Sequence, residues 1–307
     1  MKGTALAHHL EYYGLRGAVA ALNRLSLQRA GTIGEWIGGL GYRPFGVRRG
    51  VVERQVRAAF PELDHADVLR IARASYESLG RTTIETALLP AYSRDEVLAM
   101  FERVEGWDVV ERARARGHGV LFVTGHLGNW ELGGSYIAAR GIPIEAVARR
   151  MQNPLFDRYL TDTRRQIGMT VIHDADAVRR VPRAIREQHA VAFLVDQGAV
   201  GLASAWVPFF GRYAKTPRGP AVFALRLDAP VVFGCALRQP DGRFVMHFEE
   251  VPVTRTGDRD ADVDRIVESY TATLERWVRR APEQYFWHHR RWKHQRPGTP
   301  PELGDPS

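Results

Sequence analysis

The chain has 307 residues, 45% of them hydrophobic and 25% charged, with a formal net charge of +8. That length and balance suit a globular protein with a full hydrophobic core and exclude a disordered or fibrous chain. The single cysteine, Cys235, excludes an internal disulfide and most cysteine–metal sites; within the apolar run Val231–Leu237 it reads as a buried, inert thiol.

The charge is unevenly spread. Residues 1–60 hold nine Lys/Arg against three Asp/Glu, and residues 276–296 hold seven against one. Two basic ends on a mildly acidic middle point to a surface that meets polyanions: anionic phospholipid, phosphorylated glycolipid or an acidic carrier protein. Nucleic acid is not expected, because no nucleic-acid motif accompanies the charge. No run of about 18 apolar residues occurs, so no transmembrane helix is expected. A continuous apolar core with a small-residue cleavage site, the mark of a secretory signal, is not expected at the N-terminus either.

In chain order, residues 1–100 read as helices only. Leu15, Val19 and Leu22, then Ile33, Trp36, Ile37 and Leu40, recur at helical spacing among Arg16, Arg24 and Arg29, a pattern that suits a helix lying in a bilayer interface or one packing on a core. Val51, Val52, Val56 and Phe60 continue the pattern until Pro61 stops it, and residues 64–89 form a further helix closed by Pro90. From about residue 103 the texture changes to short apolar runs alternating with amphipathic segments. Strands are expected at 119–124, 144–148, 170–172, 191–195, 205–209, 230–237 and 243–249. Helices are expected at 129–140, 154–167, 176–188, 217–227 and 260–280, with Thr216-Pro217 as a capped helix start. The tail from Arg296, rich in proline and glycine, is expected to be disordered. The fold expectation is therefore α/β: a mixed central β-sheet flanked by helices over 101–296, an N-terminal helical, membrane-facing region over 1–100, and a tail at 297–307, all within one structural domain.

The most informative segment is His126-Leu127-Gly128-Asn129-Trp130-Glu131, directly after the strand Val120–Thr124. A neutral imidazole at the end of a strand can take a proton from a hydroxyl near pH 7, and a neighbouring carboxylate can hold its tautomer. A bare His-x4-Glu pair is weak by itself. Its place at a strand-to-turn junction strengthens it, because sheet ends are where α/β proteins build sites. No nucleophile accompanies the pair, so the activated hydroxyl belongs to a substrate.

Four further segments follow: Arg149-Arg150-Met151-Gln152-Asn153-Pro154-Leu155; Asp196-Gln197-Gly198; Val207–Gly211 running to Ala214–Pro220; and Ala281-Pro282-Glu283-Gln284-Tyr285-Phe286-Trp287-His288-His289-Arg290-Arg291-Trp292-Lys293. In this order and spacing the chain resembles the bacterial lipid A biosynthesis (lauroyl/myristoyl) acyltransferase family, within the wider His-x4-Asp/Glu glycerolipid acyltransferases. The resemblance covers about residues 100–296. It implies an O-acyltransferase that moves a fatty acyl group from a thioester, on acyl carrier protein or coenzyme A, to a hydroxyl of a membrane glycolipid such as a lipid A precursor. No metal or cofactor is implied, because a thioester is already activated. The implied setting is the cytoplasmic face of the inner membrane, peripherally bound to an anionic surface.

Carried over residue by residue, His126 is the expected general base and Glu131 its orienting partner. The N–H groups of Gly125, Gly128 and Asn129 are expected to supply an oxyanion site. Arg149 is expected on a phosphate or sugar of the acceptor. The family's arginine follows a tyrosine where this chain has Ala148, so a different acceptor pocket is expected. Asp196 either lines the same crevice or caps the turn at Gly198, the latter slightly favoured. Lys215 and Arg218, flanking the expected helix start, suit a donor or acceptor phosphate as well as a plain solvated face. Tyr285, Trp287 and Trp292 are expected to pack on the body and reach lipid headgroups, with Arg290 and Arg291 holding a phosphate or stabilising the fold. His288, His289 and His294 lack a metal-ligand spacing. The competing readings are an acyltransferase for another lipid (a phosphatidylinositol mannoside or glycerophospholipid), a thioester hydrolase, and a non-catalytic membrane-surface protein.

Overall fold

Alternate residues of the strands bury against opposite helical layers. In the computed structural model, which describes residues 2–151, 153–198 and 203–306, Leu121, Val123, Val191, Phe193, Val231 and Phe233 join one core cluster. Val120, Phe122, Ala190 and Val232 join the other. A sheet buried on both faces reads as continuous apolar runs, which is why these strands were legible.

The N-terminal region comprises α1 (Lys2–Leu22), α2 (Leu27–Tyr42), α3 (Arg49–Ala59), α4 (His65–Leu88) and the short α5 (Arg94–Ala99). There follow β1 (Phe101–Glu105), α6 (Trp107–Arg114), β2 (Val120–Thr124), α7 (Trp130–Ala139), β3 (Ile144–Ala148), α8 (Pro154–Gln166), β4 (Met169–His173), α9 (Ala177–Arg186) and β5 (Ala190–Leu194). The hairpin β6 (Ser204–Phe209) and β7 (Arg212–Pro217) precedes α10 (Gly219–Leu227), β8 (Val231–Arg238), β9 (Phe244–Val251) and α11 (Arg259–Arg280). Seven strands form one sheet in the order β1-β9-β8-β2-β5-β3-β4. Every neighbouring pair in it is parallel except β8 and β9. The fold is thus mixed α/β with a central, mostly parallel sheet flanked by helices.

Side-chain caps set several helix starts: Asp64 accepts from the Asp67 N–H at α4, Asn153 from Leu155 and Phe156 at α8, and Asp258 from Ala261 at α11. Each satisfies an otherwise orphaned N–H and is worth about 1 kcal/mol. The expected start at Thr216-Pro217 is corrected. Both residues belong to β7, paired with Ala205 and Ser204, and α10 begins at Gly219 with no side-chain cap. The chain end also holds more structure than its composition suggests: Arg212 donates to the Gly304 carbonyl, and Arg290 pairs with Asp305.

The N-terminal helices are fused to the body, since Val52 and Val56 of α3 and Val68, Ile71, Ala72 and Tyr76 of α4 lie in the same core cluster as β2 and β5. The helix α2 crosses α4 at backbone contact. A Cβ at Gly38 would stand 2.0 Å from the Tyr76 carbonyl oxygen, and one at Gly80 2.1 Å from that of Gly34. No helix is long and apolar enough to cross a membrane among the described residues. The two expected amphipathic stripes differ in fate. Leu15, Val19 and Leu22 of α1 are half-buried, whereas Ile33, Trp36 and Ile37 of α2 are exposed, as are Phe45 and Val47 in the following turn.

Because the neighbour at Gly38 is backbone, Gly38→Ala has no flexible side chain to displace. Overpacking of this kind costs about 1–3 kcal/mol; urea unfolding of the variant should show that loss, and unchanged stability would mean that α2 is not seated on α4 at this distance.

Candidate active site

The parallel register of β2 and β5 pairs Thr124 with Leu194, so two residues further along each strand His126 and Asp196 leave the sheet side by side. Asp196 is 2% exposed, and both its oxygens are taken by one residue. The His126 ring donates from Nδ1 to Oδ1 at 2.8 Å, and the His126 backbone N–H donates to Oδ2 at 2.8 Å. A carboxylate only accepts, so the proton sits on Nδ1 and the basic lone pair on Nε2, which the Gln197 amide approaches at 3.4 Å. Trp130 packs edge-on to the ring at 4.9 Å between centroids, and Phe286 covers it at 5.7 Å.

The turn itself is pinned from three sides. Gly128 has φ +62°, and a Cβ there would lie 2.0 Å from the Ala236 carbonyl oxygen, so only glycine fits. Its N–H donates to the Gln284 carbonyl, the Asn129 N–H donates to the Ala236 carbonyl, and Phe286 donates to the His126 carbonyl. The oxyanion expectation is therefore corrected for Gly128 and Asn129, whose N–H groups are spent on carbonyls; that of Gly125 has no acceptor among the described residues. Asn129 is fully buried: its Oδ1 caps Leu132 at the start of α7 and its amide donates to Glu85.

Glu131 points elsewhere than expected. Its carboxylate is held by Arg164 of α8, with Nη2 at 2.5 Å and Nε at 3.1 and 3.2 Å from the two oxygens. The orienting role expected of Glu131 thus passes to Asp196 in the geometry, and Glu131 ties α7 to α8. Thr124, Trp130, Glu131 and Arg164 line a cavity against α7 and the sheet together with small residues such as Gly133, Gly134, Ala146 and Ala192. Met169, Ile137 and Ile144 line it further in.

The model of the bacterial lipid A biosynthesis acyltransferase family matches residues 9–294. The chain belongs to this family. Among its relatives, the lipid A biosynthesis palmitoleoyltransferase of Escherichia coli is 27% identical over 257 residues, covering 82% of this chain and 81% of that protein. The E. coli lipid A biosynthesis lauroyltransferase is 26% identical, covering 87% and 86%. A phosphatidylinositol mannoside acyltransferase of Mycobacterium tuberculosis is 28% identical over 164 residues, about half of each chain at 52%. The protein is an acyltransferase, as the sequence motifs implied.

In this acyltransferase the remaining expected site residues divide. Arg149 is exposed just beyond β3 and has no ion pair or hydrogen bond among the described residues; Gln152, in the same motif, lies outside the described residues. The Lys215 side chain likewise forms no ion pair among the described residues, while its carbonyl accepts from Arg291. Arg218 is instead engaged by α11, bonding Asp260 at 2.9 Å and Asp264 at 3.0 Å. Arg290 pairs with Asp305. Of the two roles expected of Arg291, the geometry is that of the fold-stabilising one: it is 4% exposed and donates to the Lys215 carbonyl at 2.8 Å and the Thr216 hydroxyl at 2.5 Å. Tyr285, Trp287 and Trp292 are buried in the body, too deep to meet headgroups. Arg164, Glu85 and Arg238 escaped the sequence reading, because nothing local marks an arginine or glutamate whose partner lies on a distant element.

Burial alone would raise the Asp196 carboxyl, but the imidazole charge and the hydrogen bonds from the His126 ring and N–H outweigh it and hold the group down to about 2. Its contribution to stability is therefore complete above about pH 4 and is lost as pH falls toward 2. Acid titration monitored by circular dichroism should show the stability gap between wild type and Asp196→Asn narrowing across that window; a gap that is constant with pH would mean that the carboxylate is not held in this way.

Proposed function

We propose that the protein transfers a fatty acyl group from an acyl thioester to a hydroxyl of a membrane glycolipid, with His126 as general base and Asp196 as its orienting partner. The observation that carries this reading is the pair of hydrogen bonds that Asp196 accepts from the His126 ring and backbone N–H, beside an apolar cavity. Nε2 of His126 takes the proton from the acceptor hydroxyl as its oxygen attacks the thioester carbonyl. The tetrahedral intermediate then collapses, the C–S bond breaks, and the imidazolium returns the proton to the leaving thiolate. Asp196, ionised throughout the neutral range, stabilises the imidazolium in between. The free Gly125 N–H is the candidate donor to the oxyanion.

The apolar lining of the small cavity beside Trp130, about 60 Å³, favours a short stretch of hydrocarbon as its occupant. Gly134 already lies close to Met169, where a Cβ would come within 2.3 Å of the sulfur, so a larger residue there would narrow the cavity further. The two E. coli lipid A acyltransferases match 82% and 87% of this chain, whereas phosphatidylinositol mannoside acyltransferases match 52% and 68%. That difference favours a lipid A precursor as acceptor. Exposed Arg149 is the cation best placed at a strand end for its phosphate, with Lys215 as a second. An acyl carrier protein or coenzyme A thioester is the donor class.

Association with an anionic bilayer at the inner face of the cytoplasmic membrane is supported by α2 and the turn after it. Trp36, Phe45 and Val47 are 66%, 72% and 56% exposed, and Arg29, Arg43 and Arg48 are exposed among them. Apolar rings with arginines at their rim match a headgroup boundary.

Acyl transfer from lauroyl-acyl carrier protein to a lipid A precursor tests the chemistry. General-base catalysis contributes about 10²–10⁴-fold, so His126→Ala and Asp196→Asn should each lose activity on that scale while remaining folded. Glu131→Gln should behave differently, because it strands a buried guanidinium: about 3 kcal/mol of stability lost, with activity per folded molecule less affected than in Asp196→Asn. A folded, inactive Glu131→Gln beside a fully active Asp196→Asn would reverse the assignment. Free fatty acid as the sole product would make the protein a hydrolase instead. Vesicle sedimentation tests the membrane face: Trp36→Ser with Phe45→Ser should weaken binding to anionic vesicles several-fold, the remainder falling with added salt. Binding equal to wild type removes α2 from the interface.

A further inference from the structure

The turn that carries His126 is backed by a buried carboxylate that the reaction scheme leaves unused. Glu85, on the last turn of α4, is 1% exposed. Its Oε1 accepts from Arg81 Nε at 2.9 Å and Arg238 Nε at 3.1 Å, and its Oε2 accepts from the Asn129 amide at 3.0 Å and from Arg238 Nη2. One turn earlier on α4, the Thr82 hydroxyl donates to the Gly128 carbonyl at 3.3 Å and accepts from Arg238 Nη2 at 3.2 Å. Arg238 in turn exchanges backbone hydrogen bonds with the Gln284 side chain at 2.9 Å each, and the Gln284 carbonyl receives the Gly128 N–H. Every residue from Gly128 to Asn129 is thereby connected to one anion.

A buried ion pair of this kind is seldom worth having for stability alone, since desolvation offsets most of the attraction. What it supplies here is direction. Two guanidiniums and an amide converge on a carboxylate that cannot turn, and the amide belongs to the residue that caps α7. Without that anchor the His126–Trp130 segment retains its backbone contacts to β8 and the Thr82 hydroxyl on Gly128, but loses its charged link to α4.

We propose that Glu85 is a positioning residue for the acyl-transfer reaction, fixing the His126 turn through Asn129 and Arg238 so that the imidazole stays aligned with Asp196. The proposal rests on the reading of His126 as the base. A misplacement of about 1 Å can cost on the order of 10²-fold in rate, so the expected effect is on turnover and not on substrate affinity.

The test uses the full chain, lauroyl-acyl carrier protein and a lipid A precursor in vesicles. Glutamine in place of Glu85 has one acceptor oxygen and cannot satisfy Arg81, Arg238 and Asn129 together. Glu85→Gln should lower kcat at least about tenfold, leave KM for both substrates within about threefold, and broaden or remove the downfield proton resonance of the His126 Nδ1–H. The control is Val56→Ala, a core change on α3 that lowers Tm without touching the turn; at equal Tm it should keep kcat and the resonance. Should Glu85→Gln fail to fold, Thr82→Val deletes only the hydroxyl between Gly128 and Arg238 and should move kcat and the resonance in the same direction. A folded Glu85→Gln, or failing that a folded Thr82→Val, with wild-type kcat and an intact resonance overturns the proposal, as does an equal loss in Val56→Ala. An inactive His126→Ala beside a normal Glu85→Gln confines the failure to Glu85, whereas an active His126→Ala removes the base and this proposal with it.

Discussion

One carboxylate, bonded to the ring and to the backbone N–H of the same histidine, is the constraint on which the site depends. It needs the ends of β2 and β5 to be adjacent and in register, because His126 and Asp196 each lie two residues beyond the Thr124–Leu194 pair. A slip of one residue would turn one of the two side chains to the other face of the sheet. Glycine at 125 leaves the approach open, since a Cβ there would come within 2.7 Å of the Leu274 side chain and 3.3 Å of the Asp196 carboxylate. The sheet therefore does more than support the site. Its register determines which acid meets the imidazole.

Around this clasp the protein uses guanidinium groups as internal fasteners. Arg164 holds Glu131, Arg81 and Arg238 share Glu85, and Arg291 spans the Lys215 carbonyl and the Thr216 hydroxyl. A planar fork that stays charged when buried and bonds in two directions suits such positions better than an ammonium. This use draws on a chain rich in arginine, whose only lysines are Lys2, Lys215 and Lys293. It also changes the meaning of the basic C-terminal segment. Arg291 is internal and Arg290 is paired with Asp305, so part of that charge serves the fold and less of it faces a polyanion than composition alone suggested.

The sequence made the buried sheet legible because both faces of each strand are apolar; all seven expected strands are present, with ends within two residues of the expected ones. The two strands it missed explain themselves. The edge strand β1, Phe101-Glu102-Arg103-Val104-Glu105, is half charged and carries no continuous apolar run, and β7 holds Arg212, Lys215 and Pro217, which read as loop and helix start. The site divided in the same way. His126 was legible from its place after β2, since strand-to-turn junctions are local features. The choice between Glu131 and Asp196 was not, because it depends on which strand lies next to β2, and 70 residues separate His126 from its partner. Sequence spacing favoured the nearer acid, and tertiary adjacency selected the other.

The N-terminal helices bear on the same chemistry through α4. Its residues Tyr76 and Gly80 receive α2 at backbone contact, and its residues Thr82 and Glu85 touch the His126 turn. Gly80 and Glu85 are five positions apart, a rise of about 7.5 Å along a helix. A helix gripped this closely cannot peel away from the body to insert by itself, so the exposed Ile33, Trp36 and Ile37 move as part of the body that holds His126. Were that face to rest on a bilayer, His126 would be held at a fixed height over the headgroups. An acceptor hydroxyl could then reach Nε2 without its lipid leaving the leaflet, and the glycines that seat α2 on α4 would set the working distance of the enzyme.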